Sequence, residues 1–233
     1  FSSAASAKST YPEPNNKLLD YSGAITTSGI TFPSYWPTHG QHWNYNGQVI
    51  KSLIKLQSSD PLYKEIAAMW RISMGTITHN YDFYDIHINT DTSLFMKHLG
   101  HQMGMLQYLK NNELNYVMMW HGTTMRDADP IGNPNDRGRN DVALSIMVNG
   151  FKPIFNVQAA YGKGEYFAQN ASYSWDNRYS KPENFNQDPD IPHGHVQKVY
   201  ILSRVLKGRQ CDGYQGMMQP SMHSNGRLYD TMK

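Results

Sequence analysis

Three blocks of residues in fixed order hold the chain's chemical potential: Trp120-His121-Gly122-Thr123, then Asn149-Gly150-Phe151, then Tyr161-Gly162-Lys163-Gly164-Glu165-Tyr166-Phe167-Ala168, with Ser174 eight residues beyond Tyr166. Taken singly, each has an ordinary explanation. A histidine at a strand end is usually a buried ring bonded to a carbonyl, a tyrosine or serine is a packing or helix residue, and Gly-x-Gly is most often a turn. Their joint order and spacing point instead to one nucleotide pocket. Rival chemistries have less to stand on. His39-x-x-His42 and His193-x-His195 have spacings a metal can use, but they lie in Pro/Gly-rich loop sequence without a cysteine or a third ligand nearby, so no metal site is expected. Cys211, the single cysteine, lacks an activating neighbour and reads as a packing thiol. It can form no internal disulfide, which favours a reducing, intracellular setting.

The third block is the specific part. Gly-Lys-Gly-x-Tyr-Phe-Ala with its serine at a set distance, preceded by His121-Gly122-Thr123, resembles the catalytic core of the poly(ADP-ribose) polymerase family, the diphtheria-toxin-like ADP-ribosyltransferases. His-Gly-Thr also occurs in RNA 2'-phosphotransferases, but the Tyr-Phe-Ala block and the weak basicity of the chain speak against that reading. The resemblance implies an α+β ADP-ribosyltransferase fold, two small mostly antiparallel sheets forming a cleft with flanking helices. It implies NAD as substrate, with no metal, and cleavage of its glycosidic bond as positive charge grows on the ribose. His121 and Tyr166 then take the catalytic positions, His121 on a ribose hydroxyl of the adenosine half and Tyr166 against the nicotinamide ring. Gly122 offers backbone N–H and C=O to the carboxamide, Ser174 adds a hydroxyl, and Thr123, Tyr161, Gly164, Phe167 and Ala168 complete the lining. The family places a second aromatic three residues after the serine, where this chain has Asn177. Tyr179 is favoured for that role, with Trp175 as the alternative.

Pro33-Ser34-Tyr35-Trp36, Leu206-Lys207-Gly208 and Leu228-Tyr229-Asp230 look most like the mono-ADP-ribosylating branch. Family members run on from the last of these into one more strand carrying the third member of a His-Tyr-Glu triad, and here that strand is expected to be missing. Glu165, Glu113, Glu65 and Glu183 are candidates for the third member only by being glutamates. An open sheet edge calls for a covering partner chain or a further C-terminal segment. Single transfer of ADP-ribose, to a protein or nucleic-acid acceptor, is therefore the activity implied. The alternative is an inactive subunit of a larger assembly that still binds NAD or ADP-ribose. A Ser/Ala-rich start with Lys8 and no acid is compatible with a mitochondrial presequence.

At 233 residues, the chain suits one large domain with an extension. Its 21 basic and 19 acidic residues give a net charge of +2, no footprint for neutralising many phosphates, so nucleic acid is not an expected primary partner. No apolar run is long enough to span a bilayer. Residues 1–47 read as an extended arm packing Tyr35, Trp36 and Trp43 on a catalytic domain at 48–233. Within that domain, Ile50 to Leu56 suits a short strand. Asp60-Pro61 suits the start of a helix with Leu62, Ile66, Met69 and Trp70 on one face. Tyr84 to Asn89 alternates like a strand, and Thr92 is expected to cap a helix running to about Lys110 with Leu94, His98, Leu106 and Leu109 inside. His98 and His101 read as a polar-facing pair.

The elements that must position the pocket come next. Val117 to Trp120 should be a buried strand delivering His121 at its end. Asp141 to Asn149 should be a helix stopped by Gly150. Glu165 to Ala168 reads as a short strand, Asn170 as the cap of a helix toward Tyr179, and Val196 to Leu206 as an interior strand. Between the first two blocks, a long polar segment carries Arg137 and Arg139, which suit a solvated surface pair better than a pyrophosphate clamp.

Overall fold

The computed structural model describes residues 25–26, 29–30, 32–33, 35–37, 40–45, 48–80, 85–123, 142–152, 158–159, 162–184 and 196–232. The first half runs β1 (Ile25–Thr26), β2 (Gly29–Ile30), β3 (His42–Tyr45), β4 (Gln48–Lys55), α1 (Pro61–Met74), β5 (His87–Asn89), α2 (Thr92–Leu106) and β6 (Tyr116–Thr123). The second runs α3 (Val142–Asn149), β7 (Gln158–Ala159), β8 (Gly162–Lys163), α4 (Ala171–Ser174), β9 (Glu183–Asn184), β10 (Val196–Gln197), β11 (Val199–Leu206), β12 (Gln210–Cys211) and β13 (Thr231–Met232). The architecture is α+β, small and mostly antiparallel sheets with helices against them, consistent with an ADP-ribosyltransferase fold.

The longest ladder joins β6 to β11, antiparallel from Tyr116 opposite Leu206 to Thr123 opposite Val199. Both strands are rich in the β-branched, aromatic and long apolar side chains that suit a pleated, covered surface. Alternation sends Trp120 and Gly122, with their partners Leu202 and Tyr200, to one face and His121 to the other. On the first face lies a buried cluster of Trp70, Met74, Trp120 and Ala171, with Ile66, Met69, Trp175, Tyr200 and Leu202 packed around it. α1 and α4 therefore lie on that face. A buried tryptophan removes roughly 150–250 Å² from water, about 4–6 kcal/mol of gross transfer free energy, so Trp70 and Trp120 anchor this core.

The helices start and stop for local reasons, some of them different from those expected. Pro61 opens α1, but the Asp60 carboxylate accepts the Gln57 N–H at 2.8 Å and makes no cap bond to the helix. For α2 the cap is Asp91, whose carboxylate accepts the Leu94 N–H at 2.8 Å, so Thr92 becomes the first helical residue. The carboxylate is a stronger acceptor than the neighbouring hydroxyl and wins the position. α2 also stops at Leu106, short of Lys110, and Leu99 is its buried residue. His98 and His101 part company: His98 packs on Tyr116, with ring centroids 5.9 Å apart, while His101 is exposed. α3 ends at Gly150, whose φ of 77° and bond to the Ile146 carbonyl close the helix.

β3, β4 and β5 form a three-stranded antiparallel sheet. β3 pairs with β4, and Trp36 packs edge-on against Phe95 of α2 at 5.3 Å. Of the expected Tyr84–Asn89 strand, His87–Asn89 forms β5, Asp85 and Ile86 precede it, and 81–84 lie outside the described residues. The expected Val196–Leu206 strand divides at Lys198 into β10, which pairs with β9, and β11. After Leu228-Tyr229-Asp230 the chain enters β13, which pairs in parallel with β12. Among the described residues, no helix is long and apolar enough to cross a membrane.

Candidate functional site

β6 has β11 along one edge. Its other edge meets Ala168: the Trp120 N–H donates to the Ala168 carbonyl at 2.7 Å, and the Ala168 N–H donates back at 2.8 Å. In an extended strand the N–H and C=O of one residue leave by the same edge, and those of the residue two places on leave by that edge again. Gly122 therefore directs a donor and an acceptor past Ala168, away from β11. A side chain here is barred by its neighbours, since an added Cβ would lie 2.7 Å from the Ser174 carbonyl oxygen and 3.0 Å from the Tyr179 Cβ. Ser174 is only 3% exposed, and its hydroxyl donates to the Trp120 carbonyl at 3.3 Å. The expected Glu165–Ala168 strand reduces to this single bridge at Ala168, and α4 spans only Ala171–Ser174 with no side-chain cap from Asn170.

On the opposite face of β6, the His121 ring meets the third block. Its Nδ1 lies 2.9 Å from the Tyr166 carbonyl oxygen. A carbonyl can only accept, so Nδ1 carries the proton in the neutral ring and Nε2 is left with a lone pair. Phe151 and Phe167 hold the ring at centroid distances of 5.0 and 5.6 Å, and pack against each other at 5.2 Å. All three sequence blocks thus meet around one imidazole. Burial pushes the His121 pKa below its ordinary value, with the bond to the Tyr166 carbonyl opposing. A depressed histidine pKa means the unfolded chain binds more protons, so its contribution to stability is complete above about pH 6.5 and is lost as pH falls through the lowered folded value.

Tyr166 is 40% exposed, and its phenol donates to the Gly162 carbonyl at 2.7 Å. Gly162 itself has φ of 93°, and a Cβ there would strike the Met217 and Met218 carbonyls. Around Gly164 a Cβ would meet nothing, so the steric demand in Gly-Lys-Gly falls on the first glycine. Thr123 is buried at the last position of β6, opposite Val199. Trp175 stacks on Tyr200 at 5.9 Å in the core, with the Lys198 ammonium 4.5 Å from its ring. Of the two aromatics considered for the second ring face, Tyr179 is the one that stands against Gly122. Tyr161, Arg137, Arg139, His39, His193 and His195 lie outside the described residues.

No protein-family profile matches the chain. It is similar to the human "Protein mono-ADP-ribosyltransferase PARP14", 26% identical over 212 residues that cover 89% of this chain and 10% of the relative. It is similar also to the mouse "Protein mono-ADP-ribosyltransferase PARP11", 27% identical over 229 residues, 91% of this chain and 60% of the relative. The human "Protein mono-ADP-ribosyltransferase PARP11" is 27% identical over 209 residues, 82% of this chain and 54% of the relative. Over most of its length the chain is thus similar to proteins named as mono-ADP-ribosyltransferases. It spans 60% or less of the length of each of these relatives.

The geometry around β6 also draws on residues that the sequence does not single out. Phe151 was visible as part of Asn-Gly-Phe, yet its contact with His121 depends on how α3 ends. Ser180, fully buried, donates its hydroxyl to the Val199 carbonyl at 3.1 Å and pins the segment that carries Tyr179 to β11. A lone serine in a polar stretch gives no sequence signal for that. Glu113 is engaged elsewhere: its carboxylate accepts the Lys110 N–H and pairs with Arg209 at 3.2 Å, ahead of the start of β6.

Proposed function

We propose that this chain binds NAD, cleaves the bond between its nicotinamide and ribose, and transfers a single ADP-ribose to a protein side chain with release of nicotinamide. The observation that carries this reading is the edge of Gly122, a backbone donor and acceptor beside Ser174 and Tyr179 where no Cβ fits. A primary carboxamide is the complementary group: its oxygen takes the Gly122 N–H and its NH₂ donates to the Gly122 carbonyl, with the Ser174 hydroxyl adjacent. Tyr166 and Tyr179 then face the ring, and His121 Nε2 accepts from a ribose hydroxyl. Fixing the ring and the sugar at once holds the dinucleotide in the pose from which the glycosidic bond lengthens. The acceptor nucleophile attacks the ribose carbon as the bond to nicotinamide breaks, and nicotinamide leaves with the bonding pair as a neutral base. The similarity to three mono-ADP-ribosyltransferases supports this reading.

The test is incubation with NAD labelled on its adenosine half, reading label on protein and nicotinamide in solution. Both should appear, and both should fall by about 100-fold in His121→Ala, the scale expected when a reactant is misplaced by about an ångström. Thermal stabilisation by NAD without either product would instead indicate a binding subunit. Failure of NAD to bind would end the proposal.

The proton on His121 predicts a pH profile. Only the unprotonated Nε2 accepts a hydroxyl hydrogen bond, so turnover must fall once the ring protonates. Because burial lowers that pKa, the rate should hold as pH drops past about 6.5, where a free histidine is half-protonated, and decline only at lower pH. A decline centred at or above pH 6.5 would contradict the assignment.

A further inference from the structure

We propose that Tyr173 is a positioning residue: by stacking on Tyr179 and sharing a hydrogen bond with it, Tyr173 fixes the direction of the Tyr179 ring, whose Cβ stands beside Gly122, and sets the width of the slot that takes the nicotinamide ring. This rests on the assignment of that slot made above. Tyr179 lies five residues beyond Ser174, past the end of α4, so no helix orients its ring. The backbone on one side is fixed, with the Tyr179 N–H bonded to the Asp176 carbonyl at 2.9 Å and Ser180 anchored to Val199. The ring itself is held from the other side. Tyr173 and Tyr179 stack with centroids 5.2 Å apart and planes 25° apart, and their hydroxyl oxygens are 3.0 Å apart.

Tyr173 does little else for the fold. It is 62% exposed, so its burial adds little to the core, yet it directly precedes Ser174 and so ties the two sides of the slot together. Asn177, three residues after Ser174, is engaged elsewhere, its side-chain oxygen accepting from Lys198 Nζ at 2.7 Å. The ring function therefore falls to a residue that needs a brace. In keeping with this, the hydrogen bond shared with Tyr173 is the main influence raising the Tyr179 pKa, with burial second.

Benzamide, which carries the ring and carboxamide of nicotinamide, probes the slot, and ADP-ribose probes the rest of the pocket. Tyr173→Phe removes one exposed oxygen and keeps the stack, and should weaken benzamide binding by about 2- to 12-fold, the worth of one hydrogen bond. Tyr173→Ala removes stack and bond, and should weaken it by a further 2- to 12-fold or so. ADP-ribose affinity should change by less than about 2-fold in both, and KM for NAD should rise more than kcat falls. Tyr179→Phe should match Tyr173→Phe, and the double phenylalanine variant should lose no more than either single one. Equal benzamide binding by wild type and all variants, or losses that add in the double variant, would overturn the role of Tyr173. If wild type itself bound no benzamide, the slot assignment would be what fails.

Discussion

Gly122→Ala is expected to cut nicotinamide release by about 100-fold or more and to lower stability by about 1–3 kcal/mol, the usual cost of forcing a methyl group into packed structure. The φ of Gly122 is not in the left-handed region, so the backbone itself accepts alanine. The obstacle is contact. The new Cβ would stand 2.7 Å from the Ser174 carbonyl oxygen, closer than a real Cβ tolerates, and Ser174 and Tyr179 have little freedom to yield. α4 cannot retreat readily because Ala171 is fully buried in the core cluster. β6 cannot retreat either, held by β11 on one edge and by Ala168 on the other. Relief must come from separating Ser174 and Tyr179 from the Gly122 edge, which dismantles the proposed carboxamide site. Nicotinamide release and a denaturation curve on the same variant check both parts, and an active variant at wild-type rate would show that the edge is not where the ring binds.

The second large effect lies beneath the site. Trp70→Ala should cost about 3–5 kcal/mol, the range for truncating a buried tryptophan. At 3% exposure, Trp70 shares the buried cluster with Met74, Trp120 and Ala171, so it links α1 to the strand and the helix that form the shelf under Gly122. In urea, the midpoint should shift strongly with the slope unchanged, because the same surface is exposed on unfolding. Against the roughly 5–15 kcal/mol of a typical domain, this is a large share. A loss below about 1 kcal/mol would mean that α1 does not support the shelf.

What the sequence made legible divides along physical lines. Val117 to Trp120 announced a strand because a continuous apolar run has few alternatives, and β6 delivers His121 and Gly122 as that run implies, although Trp120 is the one residue of the run that is buried. α1 and α3 were legible from Pro61, whose fixed φ suits a first helical turn, and from Gly150, which alone takes the positive φ of 77° at a helix end without strain. The errors sit where two polar groups compete locally. Asp91 outbids Thr92 as a cap, and Asp60 turns back to Gln57. Glu165 to Ala168 has the composition of a strand, yet it pairs only where Ala168 meets Trp120, since Tyr166 is committed to Gly162 and its own carbonyl to His121. Spacing favours Tyr179 over Trp175 without deciding between them, because the placement of Trp175 depends on Tyr200, a residue of a strand far along the chain that takes it toward the core. The same holds for Gly162 over Gly164, settled by the Met217 and Met218 carbonyls.

The account stands on one convergence: His121 and the Tyr166 segment on one face of the end of β6, Ser174 and Tyr179 on the other, and the free edge of Gly122 between them. A crystal structure with nicotinamide bound tests this most directly. It should show the carboxamide oxygen on the Gly122 N–H, the carboxamide nitrogen on the Gly122 carbonyl, and the ring between Tyr166 and Tyr179. Nicotinamide found elsewhere, or His121 and Tyr166 parted so that no common hollow lies between them, would contradict it.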